Sequence, residues 1–142
     1  MLNLPESFED NLKKALHSIG DDLNQTSRLA ENVLRLSDYY IDRLGQATPW
    51  SEAWAQAAYL VYFLPLNWLR LNAVFQEARE RGFLSLADQI IDFGSGPAVT
   101  ALALSEGNSP FQKMQNVEAS TIPEKLYQSF SSSVKTAVNW SR

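Results

Sequence analysis

Apolar residues recur at helical spacing through the first 85 positions and then change rhythm. In "ESFEDNLKKALHSI", Phe8, Leu12, Ala15, Leu16 and Ile19 fall on one face of a helix that Gly20 can end. A second helix is expected from Thr26, a possible N-cap, with Leu29, Val33, Leu36, Tyr40 and Leu44 as its stripe and Gly45 as its stop. "TPWSEAW" predicts a third, with Ser51 as cap and Glu52 in the first turn. Pro65 is expected to break or kink the run after "AAYLVYFL". A fourth helix, "LNWLRLNAVFQEARERG", should end at Gly82.

Beyond Gly82 the segments shorten. "QIIDF" reads as an apolar strand, "AVTALALSEG" as a helix and Met114 to Glu118 as a second strand. "TIPEKLYQSF" reads as a helix in which Thr121 and Glu124 form a capping box, and "VKTAVNW" as a third strand. The order β-α-β-α-β predicts a parallel sheet with right-handed crossovers. The fold class is therefore α/β: a helical N-terminal region over residues 1–85, then a parallel β-α-β-α-β sheet of Rossmann-like order over residues 86–142.

The chemistry concentrates in "IIDFGSGPAVT". Ligands of open parallel sheets bind beyond the carboxyl ends of the strands, and this turn lies at such an end. Gly94 and Gly96 can take positive φ and let backbone approach a ligand, while Asp92 ends the strand facing the crevice. A dinucleotide fingerprint would need a small residue where Val99 stands, and a phosphate loop would need a lysine that is absent. The pattern acid-x-Gly-x-Gly-x-Gly fits instead, with Ala98 in the place of the third glycine. Glu118, 24 residues after Gly94, is positioned to end the second strand and take ribose hydroxyls.

These residues resemble the first motif of class I methyltransferases, which bind S-adenosylmethionine. A closer resemblance covers roughly Leu29 to Ser120. Tyr59, Leu60, Tyr62, Pro65 and Asn67, then Asp92 to Pro97 and Thr100, are similar to the methyltransferase-like proteins associated with the mitochondrial small ribosomal subunit and their bacterial homologues. The resemblance implies S-adenosylmethionine as cofactor, held by Asp92, Phe93, Gly94, Ser95, Gly96, Pro97, Glu118 and Ala119, with Tyr62 and Asn67 at its entrance. It implies the small ribosomal subunit or ribosomal RNA as partner, through methylation or help in assembly. The cysteine clusters of that family have no counterpart here, and no residue is assigned to catalysis. Residues 88–142 leave room for about two βα units and a strand. The resemblance thus implies an incomplete Rossmann-like sheet, the first half of such a domain; if these residues are the whole protein, the outer edge of the first strand stays unpaired and favours self-association. A non-catalytic binding or assembly module is the rival reading.

Charge and composition narrow this little further. Residues 1–85 hold 8 Lys/Arg against 11 Asp/Glu, and residues 86–142 hold 4 against 5, so neither region has the basic stripe of an autonomous nucleic-acid binder. With no cysteine, disulfides and thiolate metal sites are excluded within these residues. The acids in "MLNLPESFEDNLKK" suit a cytoplasmic protein, and the longest apolar run, Ala57 to Leu66, is too short to span a membrane. The single His17 reads as a surface residue complementing the end of the first helix, and the aromatic residues from Trp50 to Trp68 read chiefly as core.

Overall fold

The computed structural model describes residues 3–83, 89–105, 113–130 and 137–142. Four helices come first: α1 (Phe8–Ser18), α2 (Thr26–Asp42), α3 (Ala53–Ala58) and α4 (Leu64–Glu80). Then β1 (Gln89–Phe93), α5 (Val99–Ser105), β2 (Lys113–Val117), α6 (Ile122–Gln128) and β3 (Ala137–Ser141) alternate. The strands lie in the order β1-β2-β3, all parallel, with Asp92 beside Asn116 and Asn116 beside Trp140. Among the described residues β1 has a neighbour on one side only.

One core joins the two regions. Phe8, Leu12 and Leu16 of α1 and Leu64 and Trp68 of α4 pack in the same cluster as Leu102 and Leu104 of α5, Met114 of β2 and Phe130 after α6. Phe8 sets its edge against Trp68 at 5.5 Å and lies 5.6 Å from Phe130, so the first helix is pinned to the last helical turn. A smaller cluster of Leu36, Ala55 and Ala58 fixes α2 against α3. No helix of the described residues is long and apolar enough to cross a membrane.

The helix ends are set by glycine more than by caps. Gly20, Gly45 and Gly82 all have positive φ just past their helices. Gln25 and Glu52, not the expected Thr26 and Ser51, stand at the N-caps of α2 and α3, and neither they nor Thr121 make a side-chain cap. Thr121 has helical dihedrals, so the expected capping box does not form. Ser120 Oγ instead accepts the Ile122 N–H at 3.2 Å, and Glu124 is drawn to Arg142 at 2.7 Å. The second strand begins and ends one residue earlier than expected, and Leu44 lies beyond α2, exposed. Residues 134–136, the start of the expected third strand, lie outside the described residues, and the strand runs on to Ser141, one residue past the expected end.

Pro65 does not end the helical run. Tyr59–Phe63 form a π-helical turn that carries α3 directly into α4. The Leu64 N–H donates to the Tyr59 carbonyl, five residues back. A proline inside a helix lacks a donor and collides with the carbonyl four residues earlier; the wider turn absorbs both defects, leaving Pro65 in the first turn of α4. The turn also changes phase. Tyr59 and Asn67 are eight residues apart, which in a regular α-helix leaves them about 80° out of line. One extra residue in the turn brings them onto the same face.

Candidate functional site

The loop after β1 is shaped by three backbone constraints. Gly94 has φ 65°, Gly96 φ 51° and Ala98, not a glycine, φ 53°. The Gly94 N–H donates to the Val117 carbonyl at 2.8 Å, which ties the turn to the end of β2. Glu118 Oε2 accepts the Gly96 N–H at 3.1 Å, and its Oε1 accepts the Ser120 N–H at 3.2 Å. One carboxylate therefore braces the glycine loop and the following turn together. Where a Cβ at Gly96 would stand, Tyr59 Oη is 3.5 Å and Trp50 Cζ2 3.6 Å away, so a longer side chain there would meet the aromatic layer. A Cβ at Gly94 would meet nothing within 4 Å, so its glycine is required by φ and that backbone faces open space.

That space is a cleft of about 270 Å³ between the helical layer and the glycine loop. Tyr59, Asn67, Arg70 and Leu71 form one wall. Asp92, Gly94, Ser95 and Thr100 form the other. Asn67, Arg70 and Leu71 share a wall because three- and four-residue spacing puts them on one helix face. Tyr59 joins them because the π turn supplies the missing phase.

Burial pushes the Asp92 carboxyl above the usual aspartate range; a hydrogen bond from the Thr100 hydroxyl opposes this, and the Glu118 charge adds to it. Burial likewise drives the Tyr59 hydroxyl up to about 12, against a hydrogen bond shared with Asn67 and with the charges of Asp92 and Glu118 adding to the rise. Tyr59 is therefore a neutral hydroxyl at physiological pH and orients its neighbours without acting as a base. Ser95 is buried, and its hydroxyl has no hydrogen-bond partner among the described residues. Asn116, fully buried next to Asp92, likewise has neither amide atom bonded.

The structure thus brings Asp92, Gly94, Ser95 and Asn67 to one cleft, with Gly96 and Glu118 directly behind its loop. The other expected residues lie elsewhere. Phe93 alternates to the opposite sheet face, 76% exposed. Pro97 is buried under the loop, and Ala119 is exposed beyond β2. Tyr62 is half-exposed and sets its edge on Phe63 at 5.2 Å, because the π turn rotates Tyr59 toward the cleft in its place. Arg70 has no sequence signal beyond its place three residues after Asn67. The sequence points to Tyr59 only through the resemblance, and its place in the cleft depends on the π turn, which carries no local sequence signal.

No family model, no curated protein and no solved structure matches this chain.

Proposed function

We propose that the cleft binds S-adenosylmethionine and that this chain is the cofactor-binding part of a cytoplasmic methyltransferase-like protein acting on the small ribosomal subunit or its RNA. One observation carries the reading: two sequence segments that separately resemble that family meet in a single cleft. Tyr59 and Asn67 come from the first, and Asp92, Gly94 and Ser95 from the second. The residues suit the ligand. Gly94 presents bare backbone to the open cleft. Ser95 offers a hydroxyl with no partner among the described residues. Glu118 uses one acceptor site on each oxygen for the loop, and a carboxylate with about four such sites keeps capacity for a ribose diol. Asp92 offers a carboxylate to a cationic group.

When bound, S-adenosylmethionine supplies a methyl group already activated by its sulfonium. The chain's own residues then have little acid–base work; they bind, orient and exclude water. The neutral Tyr59 hydroxyl and its Asn67 partner hold the helical wall in register with the loop. The test is calorimetric titration of the full chain with S-adenosylmethionine and S-adenosylhomocysteine, with Asp92→Ala as control. Binding that the substitution abolishes is the expected result. A folded chain that binds neither ligand overturns the reading.

A second reading has its own observation. Ile91 is 53% exposed and, with Phe93, makes an apolar patch on the exposed face of β1, beside the edge that has no strand neighbour among the described residues. This favours a non-catalytic module that self-associates or binds a ribosomal partner. A folded chain without cofactor affinity that is dimeric by light scattering, and monomeric as Ile91→Lys, is the outcome that selects it.

A further inference from the structure

Six cationic side chains of the described residues have an ion-pair or ring partner, while Lys14, Arg70, Arg79, Lys113 and Lys125 have none, so what sets Arg70 apart is its place in the cleft. Lys13, Arg28, Arg81 and Arg142 pair with Glu9, Asp21, Glu77 and Glu124. Arg35 lies over the Trp54 ring and Arg43 over Tyr39. Arg70 has none of these partners among the described residues, and it is the cation that lines the cleft. It sits on the face of α4 that also carries Asn67 and Leu71, while Asp92 occupies the opposite wall with Thr100 donating to it.

A cleft with one cation on one wall and one anion on the other selects a ligand end that carries both charges. A planar guanidinium matches a carboxylate with two parallel N–H donors, and a carboxylate matches an ammonium. A zwitterionic α-amino acid carries both groups on one carbon. We propose that Arg70 pairs with the α-carboxylate of the bound ligand's amino-acid end, so that the helical layer reads the part of the ligand the glycine loop does not. This rests on the S-adenosylmethionine reading above. It makes α4 a specificity element of the site as well as a packing layer, and it gives the π turn a purpose: the same register that brings Tyr59 into line seats the α4 face against the loop.

The experiment compares two ligands that share the nucleoside. S-adenosylhomocysteine has the amino-acid end, and 5′-methylthioadenosine lacks it. Both are titrated into the full chain as wild type, Arg70→Gln, Arg70→Lys and Arg81→Gln, the last a control on the exposed end of the same helix. Circular dichroism checks that each variant is folded. The expected result is that Arg70→Gln weakens S-adenosylhomocysteine roughly tenfold or more, as for loss of a hydrogen-bonded ionic contact. Methylthioadenosine affinity stays unchanged, Arg70→Lys falls between, and Arg81→Gln matches wild type. Equal loss for both ligands would make Arg70 a structural residue and overturn the proposal. So would no loss for either, or a wild type that binds the two ligands equally well; these leave the nucleoside reading standing. A wild type that binds neither ligand removes the cofactor reading and this proposal with it.

Discussion

The two faces of the three-stranded sheet are built from the same short strands and have opposite fates. On one face Ile90, Asp92, Met114, Asn116, Val138 and Trp140 turn toward the helices; Met114 and Asn116 are fully buried. On the other, Gln89, Ile91, Phe93, Lys113 and Asn139 are exposed. Period-two alternation makes this separation automatic, since neighbouring residues in a strand point to opposite faces. What decides which face is covered is the crossover. α5 and α6 both return on the side where α1 and α4 wait, so one face receives two sheet helices and the whole helical layer. The cleft exists because of this asymmetry: it lies where the covering layer stops short of the glycine loop.

The largest expected effect tests that asymmetry directly. Leu102 of α5 is fully buried between sheet and helical layer. Leu102→Ala should lower stability by about 2–5 kcal/mol, the transfer and cavity cost of a core leucine. Phe93→Ala, a larger truncation on the open face, should change stability by less than about 0.5 kcal/mol. Urea titrations of both variants, read by circular dichroism, make the comparison. If Phe93→Ala costs as much as Leu102→Ala, the uncovered face is not uncovered in solution.

The covered face also holds a polar anomaly that sharpens the contrast. Asn116 is buried beside Asp92 with neither amide atom bonded among the described residues. A buried unsatisfied polar group carries a desolvation cost of roughly 1–3 kcal/mol. Leucine keeps the branching and removes both polar atoms, so Asn116→Leu should stabilise the chain by about 1 kcal/mol after some allowance for tighter packing. A higher urea midpoint with an unchanged slope is the expected result. A lower midpoint would mean that the amide is satisfied in solution and is part of the site's polar wall.

Where sequence alone predicts well and where it fails follows the same division. β1 runs over the expected Gln89–Phe93, and the helices stop before the glycines named for that purpose, because alternation and left-handed glycine are local chemistry. The turn of the glycine loop was legible for the same reason, whereas Glu118, expected to end the second strand, lies one residue past it and is tied to Gly96 across 22 residues. The π turn was not, since nothing in "YLVYFLP" reveals whether a proline breaks a helix or is absorbed by a wider turn; the choice is settled by packing Tyr59 and Trp50 against Gly96. The failed Thr121 cap is similar: Glu124 has a better partner in Arg142, which sequence separation hides. Phe93 was placed in the site by its motif, yet strand alternation sends it to the other face.

Ala98 gives the smallest and most diagnostic effect. In sequence it stands where a third glycine is expected, and a methyl group between helix and strand looks like the only consequence. In the structure its φ is 53°, a left-handed conformation that costs a non-glycine residue roughly 1–2 kcal/mol. Glycine at this position would relieve that strain. It would also remove a fully buried methyl group, worth about 0.8 kcal/mol, and release about 0.4–1 kcal/mol of extra chain entropy on unfolding. The terms nearly cancel, so Ala98→Gly should leave stability within about 0.5 kcal/mol of wild type. Ala101→Gly, three residues on in α5 and equally buried, has no strain to relieve and should cost more than about 1 kcal/mol through the same lost methyl and the poor helix propensity of glycine. Thermal unfolding of the two variants separates the cases. Equal losses would mean that residue 98 is not left-handed in solution and that the loop above the cleft has a different shape. A loss at residue 101 alone would show that the alanine sits in a turn made for glycine.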